Sequence, residues 1–205
     1  MQTTPDQAPD VEELAREIVF QGRFAVERLR LRVGRFDGGT GPTVTRDVFR
    51  SGDSVALVPY DPVRDQVLLI EQFRPGAFLA GANPWLLEVV AGRIEPGETP
   101  EAVARRESLE EAGITPLQVV PAGGFFVSAG DSSQFLHLFC GQVDLRHGGG
   151  ALHGLVEEHE DIRTLVIPLD EALAWLDAGR IVSSPAVVGL LWLNRQRKIL
   201  QTQWS

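Results

Sequence analysis

Glu107, Glu110 and Glu111 carry the strongest chemical signal in the chain. Wound on a helix at about 100° per residue, they fall within one arc of roughly 100°, and Glu98 arrives from the segment just before them. Like charges three and four residues apart repel, at a cost of a few tenths of a kcal/mol per pair in an isolated helix. A solvated surface helix relieves that repulsion by mixing in lysines. Here the nearest basic residues are Arg105 and Arg106, and only Arg106 can fold back onto the acidic cluster. Carboxylates packed together without lysine suit a hard divalent cation, and magnesium is the natural one where phosphate oxygens complete the shell. The competing reading is a charged, solvated helix face, the default for a glutamate-rich helix.

A second acidic group follows much later. Residues 146–161 are rich in glycine, then strongly acidic, and too long for an idle hairpin loop. The run offers Glu157, Glu158, Glu160 and Asp161. Carboxylates already bound to a cation make poor proton acceptors, because their lone pairs are committed to it. A general base has to come from elsewhere, and a loop hinged on Gly148-Gly149-Gly150 can bring one. An exposed loop charge is the bland account of each of these residues, and it holds for most of the four.

The elements that must position these groups follow from periodicity. Two-residue alternation over 28–33 and 44–49 predicts strands with one wet face, joined through the turn 38–42. Apolar runs at 54–60 and 66–71 flank Asp61-Pro62-Val63-Arg64-Asp65 and read as a hairpin entering the core. Residues 85–90 read as one buried strand. Thr99 can cap a helix over 99–112, with Pro100 in its first turn and Gly113 ending it. On that helix Leu109, Ala102 and Ala112 are expected to face the core. Strands are expected at 117–127, 134–143 and 162–167, then helices at 170–178 and 185–196. Strands, helix, strands, helices make the class α+β or an α/β sandwich.

Bulk properties narrow the partners. A formal net charge of −9 over 205 residues argues against a nucleic-acid backbone, but not against a phosphorylated small molecule read through a metal ion. No apolar run is long enough to cross a bilayer. Residues 1–10 read as a disordered polar tail without the layout of a secretory signal. The single cysteine, Cys140, lies in an apolar stretch and reads as a core residue. A cytoplasmic protein is the expectation.

The spacing in residues 92–114 overturns the solvated-face default. Gly92, Glu98, Arg106, Glu107, Glu110, Glu111, Gly113 and Ile114 fall in the register of the Nudix box, with Ser108 departing where that pattern has an aliphatic residue. The likeness runs on through Asp61–Asp65, Glu71–Arg74, Pro84–Gly92, His153–Leu155 and Glu160–Arg163, and over 17–204 the chain resembles the bacterial ADP-ribose pyrophosphatases of the Nudix superfamily. The resemblance implies a mixed-sheet α/β/α sandwich over 51–205. It also implies an N-terminal β arm over 11–50 that crosses to a second subunit, so that both chains of a homodimer build each site. It implies magnesium, with manganese as a substitute, on Glu107, Glu110, Glu111 and the carbonyl of Ala91, supported by Glu98 and Gly92. Arg106 would position the carboxylates. Register through His153-Gly154-Leu155 puts the base at Glu158, with Glu160 as runner-up. Arg74 would meet a phosphate or the terminal ribose, unless it is a structural ion pair. Arg46 would pack on adenine, and Arg23 stands where an aromatic is expected on the other face. Ala129 replaces the proline that marks ADP-ribose preference, and Gln134 replaces a glutamate. The implied reaction is cleavage of ADP-ribose to AMP and ribose 5-phosphate. The alternatives are another nucleoside diphosphate sugar such as GDP-mannose, or an ADP-ribose sensor without catalysis.

Overall fold

The computed structural model describes residues 9–146, 148–155, 157 and 159–204. They form two compact units, Met1–Gly52 with Phe126–Gln134, and Asp53–Phe125 with Phe135–Ser205. The first unit is an antiparallel sheet of β1 (Val11–Gln21), β2 (Ala25–Gly34) and β3 (Thr40–Arg50) in that order. The alternating stretches lie in β2 and β3, whose register sets Leu31 opposite Val44 and Arg28 opposite Asp47. Arg28 grips Asp47 across the strands through Nε and Nη2, at 2.8 and 2.9 Å. Alternation is faint in β1 because Ile18, Val19 and Phe20 are consecutive, and irregularities in its pairing at Glu13/Ala15 and Ile18/Phe20 absorb the mismatch. The segment around Ser128–Ser133 is bound to β3: the Phe49 N–H donates to Asp131 O at 2.8 Å, and the Ser133 N–H donates to Phe49 O at 3.1 Å.

The second unit runs β4 (Ser54–Asp61), β5 (Gln66–Phe73), α1 (Pro75–Leu79), β6 (Trp85–Glu88), β7 (Val90–Arg93), α2 (Pro100–Ala112), β8 (Gln118–Phe126), β9 (Phe135–Gln142), β10 (Leu152–His153), β11 (Ile162–Pro168), α3 (Leu169–Asp177) and α4 (Ser184–Gln203). Its sheet has the order β10-β11-β5-β4-β9-β8 and is mixed, since β4 runs parallel to β9 and antiparallel to β5. Every residue of β4 is buried, and alternate side chains go to opposite layers. Val55 and Leu57 pack with Val103 and Ala104 of α2. Ala56, Val58 and Tyr60 pack with Ala186, Leu190 and Leu193 of α4. Two-sided burial is why this strand reads as a continuous apolar run, and the result is an α/β/α sandwich. Cys140 is buried in the same core, and burial pushes its thiol pKa up.

The stretch 85–90 is two strands, not one. β4 and β5 pair only at Tyr60–Val67 and Asp61–Gln66 and then part. β6 pairs with β5 and β7 with β4, and the chain crosses from one to the other at buried Val89. The apolar run is unbroken across that crossing, so hydrophobicity alone does not mark it. The short α1 and β10 also escape the periodicity, while α4 continues past Gln196 because Leu200 and Trp204 still reach the core.

Candidate active site

The two ends of α2 are set by caps. Thr99 Oγ1 accepts the Ala102 N–H at 3.3 Å. At the other end Gly113 adopts φ 64°, and the N–H groups of Gly113 and Ile114 donate to Leu109 O and Ser108 O at 3.0 and 3.1 Å. The face turned inward is Val103, Ala104, Ser108, Glu111 and Ala112. The expectation for Ala102 and Leu109 is thereby corrected: both are exposed, Leu109 at 58%. Ser108, fully buried, donates its Oγ–H to Ala104 O at 2.7 Å, so the missing aliphatic side chain leaves no unsatisfied hydroxyl. The inward turn brings Glu111 Oε2 to the Ala91 N–H of β7 at 2.9 Å. A Cβ at Gly92 beside it would overlap the Glu107 carboxylate, so glycine there leaves that side chain its present position.

Arg106 sits among the remaining box carboxylates. Its Nη1 lies 2.9 Å from Glu107 Oε1 and 2.8 Å from Glu110 Oε2, and its Nε lies 3.2 Å from Glu98 Oε1. Glu98 also accepts the Glu95 N–H at 3.0 Å, which closes the loop before the helix. In this arrangement the positive charge between Glu107 and Glu110 is the guanidinium. Among the described residues, no three His, Cys, Asp or Glu side chains are gathered closely enough to hold a cation.

The electrostatics say what the cluster lacks. Burial pushes Glu107 up to about 7; Arg106 offsets part of that, and Glu110 and Glu160 add to it. Burial pushes Glu111 up to about 8, against the Ala91 N–H and Arg74, with Glu107 and Glu160 again adding. Glu98 goes the other way, lowered by the Glu95 N–H and then by Arg106. Arg106 itself is held protonated by Glu98, Glu107 and Glu110 despite its burial. Two desolvated carboxylates near neutrality in pKa are short of positive charge, which a divalent cation would supply.

The late loop is tied to the end of α2. The Gly154 N–H donates to Glu110 O at 3.2 Å, and His153 packs so close to Gly113 that a Cβ there would collide with its ring. Glu160 turns back on the loop: its Oε2 accepts the Leu155 N–H at 3.2 Å, and its own N–H donates to Leu155 O at 3.2 Å. Its charge is felt by both Glu107 and Glu111. Glu157 and Asp161 are exposed. Glu158 lies outside the described residues.

Arg74 leads into α1 and grips Glu88 of β6, with Nε at 2.8 Å and Nη2 at 2.6 Å from the same oxygen. Glu88 and Gln72, both buried, are residues the motif reading passes over. The available signal was a lone carboxylate inside the apolar run 85–90. In the first unit, Arg23 lies over the Phe24 ring at 5.9 Å and lines a hollow of about 250 Å³ with Phe24, Glu27 and Arg50. Arg46 is exposed on β3 opposite Leu29 and donates to Thr45 O at 2.8 Å.

Residues 50–200 match the NUDIX domain. The chain belongs to the Nudix family. It is 40% identical over 207 residues to the ADP-ribose pyrophosphatase of Escherichia coli (strain K12), covering 98% of this chain and 99% of that one. A more distant relative is the GDP-mannose pyrophosphatase of Citrobacter koseri, 31% identical over 150 residues, 73% of this chain and 77% of that protein. Among solved structures, an ADP compounds hydrolase shares the Nudix fold with a TM-score of 0.72 at 22% identity, covering 96% of each chain. The matched span contains the loop from Gly92 and helix α2, where Glu98, Glu107 and Glu110 gather on Arg106.

Proposed function

We propose that this Nudix chain hydrolyses the diphosphate of ADP-ribose to AMP and ribose 5-phosphate, assisted by magnesium, with manganese able to replace it. The observation that carries this reading is the meeting of Glu98, Glu107 and Glu110 on Arg106, with Glu111 and Glu160 close enough to act on Glu107 or on each other, in a chain akin over its full length to ADP-ribose pyrophosphatases. The donor set fits a hard cation: oxygens only, with two of the carboxylates raised in pKa by burial. Glu107, Glu110, Glu111 and the Ala91 carbonyl would hold it. A metal held there would supply charge neutralisation for the diphosphate and a lowered pKa for a bound water.

The chain's own residues do the rest. Arg106 keeps the carboxylates together, and Glu98 holds Arg106. A carboxylate of the late loop accepts the proton of the attacking water, Glu158 by register and Glu160 as the second candidate. Arg74 meets a phosphate or the terminal ribose, and Arg46 and Arg23 flank the adenine. The arm makes a homodimer: Ile18 and Phe20 are 60% and 58% exposed on β1 and require a covering surface. A cytoplasmic setting accords with the one buried, unpaired Cys140, and no described helix is long and apolar enough to cross a membrane.

A second reading, a nucleotide sugar such as GDP-mannose, draws on Ala129 and Gln134 standing where the ADP-ribose enzymes carry proline and glutamate. Incubation of the purified chain with magnesium and each nucleotide sugar, with product identification, separates the two. AMP and ribose 5-phosphate from ADP-ribose is the expected result. Intact ADP-ribose beside cleaved GDP-mannose overturns it. In the same assay Glu158→Gln is expected to lower kcat by about 10²–10⁴-fold with substrate binding kept. If Glu160→Gln does so and Glu158→Gln does not, the base is Glu160.

A further inference from the structure

Resting on the metal-dependent reading above, we infer that Glu88 and Gln72 are positioning residues that join Arg74 to Glu111, so that one buried oxygen sets both the substrate side and the metal side of the site. That oxygen is Glu88 Oε2. It accepts from Arg74 Nε at 2.8 Å, from Arg74 Nη2 at 2.6 Å and from Gln72 Nε2 at 3.3 Å. The same Gln72 amide reaches Glu111 Oε1 at 3.5 Å, while Glu111 Oε2 is held by the Ala91 N–H at 2.9 Å.

The strands explain how the four meet. Leu68 and Ile70 point from β5 into the cluster that packs on Ala112 of α2. Side-chain alternation puts Gln72 next in that row, on the same face. In the β5–β6 register Ile70 stands opposite Glu88 and Gln72 opposite Leu86, so Gln72 and Glu88 are diagonal neighbours. The row is apolar until it comes level with Glu111 and polar from there on. Gln72, Glu88 and Glu111 are only 5%, 7% and 3% exposed. Burying such groups is costly unless they are bonded, and stability alone would be served as well by an apolar replacement. What the polar set adds is direction. A carboxylate held at both oxygens presents one fixed edge, and a guanidinium held by Nε and Nη2 keeps its remaining N–H groups pointing one way.

The experiment compares Gln72→Met, Gln72→Asn, Glu88→Gln and Glu111→Gln with the parent chain. Manganese affinity is read by calorimetry without nucleotide, and KM and kcat for ADP-ribose are read separately. Gln72→Met, which keeps length but has no donor, is expected to weaken manganese binding about tenfold, as loss of a partner behind a metal ligand does. Glu88→Gln is expected to raise KM by about tenfold while kcat falls much less, because it loosens Arg74. On each readout the double variant is expected to fall short of the summed effects of the single variants, since Gln72 and Glu88 share one hydrogen bond. Should Gln72→Met not fold, Gln72→Asn gives the same reading with an amide one carbon too short to span Glu88 and Glu111. Unchanged manganese affinity in the folded Gln72 variant, with Glu111→Gln losing the metal, overturns this inference and leaves the metal reading standing. Undiminished manganese binding in Glu111→Gln brings down both together.

Discussion

Asp61 and Glu111 are both sealed inside the second unit, at 1% and 3% exposure, yet their surroundings differ sharply. Asp61 Oδ1 accepts the N–H groups of Val63 and Arg64 at 2.9 and 3.0 Å, and Oδ2 accepts the Leu145 N–H and Arg64 Nη1, each at 3.0 Å. Burial alone would raise its pKa, but these donors outweigh it and hold the carboxyl below its ordinary value. Glu111 has one backbone donor and a long contact to an amide, and stands at about 8. The first carboxylate is complete and fixes a turn. The second has fewer and weaker donors, a deficit that supports the cation proposed there.

The comparison breaks most readily at Glu111. Glu111→Gln keeps the shape and removes a charge from the proposed metal cluster, so turnover with magnesium should drop by about a hundredfold or more. Above about pH 8, where the buried carboxylate of the metal-free parent is charged, a melting curve of the variant should show no loss of stability. Near-normal rates would remove Glu111 from the ligand set. Asp61→Asn should give the reverse: about 2 kcal/mol less stability by urea titration, from weakened charge-assisted bonds, with kcat per folded molecule retained.

The pH dependence sharpens the contrast, because the two groups pull in opposite directions. Glu107 and Glu111 are raised in the folded chain to about 7 and about 8. Their contribution to stability is therefore fully present below the ordinary glutamate pKa and is lost as pH rises through those folded values. Asp61 is lowered, so its contribution is present above the ordinary aspartate pKa and is lost as pH falls through its folded value. Metal-free protein should thus melt at lower temperature as pH rises toward 8, and Glu111→Gln should flatten that slope. Magnesium should abolish the slope and release protons on binding, which calorimetry in buffers of different ionisation heat will detect. The smallest effect belongs to Ser108→Ala. It deletes a bond from a hydroxyl to a carbonyl within the same helix and should change stability by less than about 1 kcal/mol, with kcat unaltered.

How much of this was legible beforehand follows from where the determinants sit. The box is local: its residues share one loop and one helix, so spacing alone brings Glu98, Arg106, Glu107 and Glu110 together. The caps Thr99 and Gly113 are equally local. The inward phase of α2 is not, because partners elsewhere in the chain set it: the bond from Glu111 to the backbone of β7 and the packing of Val103 and Ala104 on β4. Those contacts turn Leu109 outward, against the expectation from its apolar side chain. Gln72 and Glu88 come from two strands and meet Glu111 only through the sheet register, which no linear spacing encodes. The same holds for the division of 85–90, where the partner strand changes while the composition does not.

The crossing at Val89 makes chain length, more than side-chain identity, the quantity under constraint there. β6 is locked to β5 by the pairs Phe73–Trp85 to Ile70–Glu88, and β7 to β4 by Leu57–Val90 to Ser54–Arg93, each ladder independently. Removing one residue between them would force one ladder to slip a step, turning each of its side chains to the opposite face of the sheet. Glu88 would then leave Arg74, or Gly92 would cease to be the residue beside Glu107. A scan of single-residue deletions should accordingly find a narrow intolerant notch at 88–90, in a stretch where conservative exchanges among valine, isoleucine and leucine pass almost unnoticed.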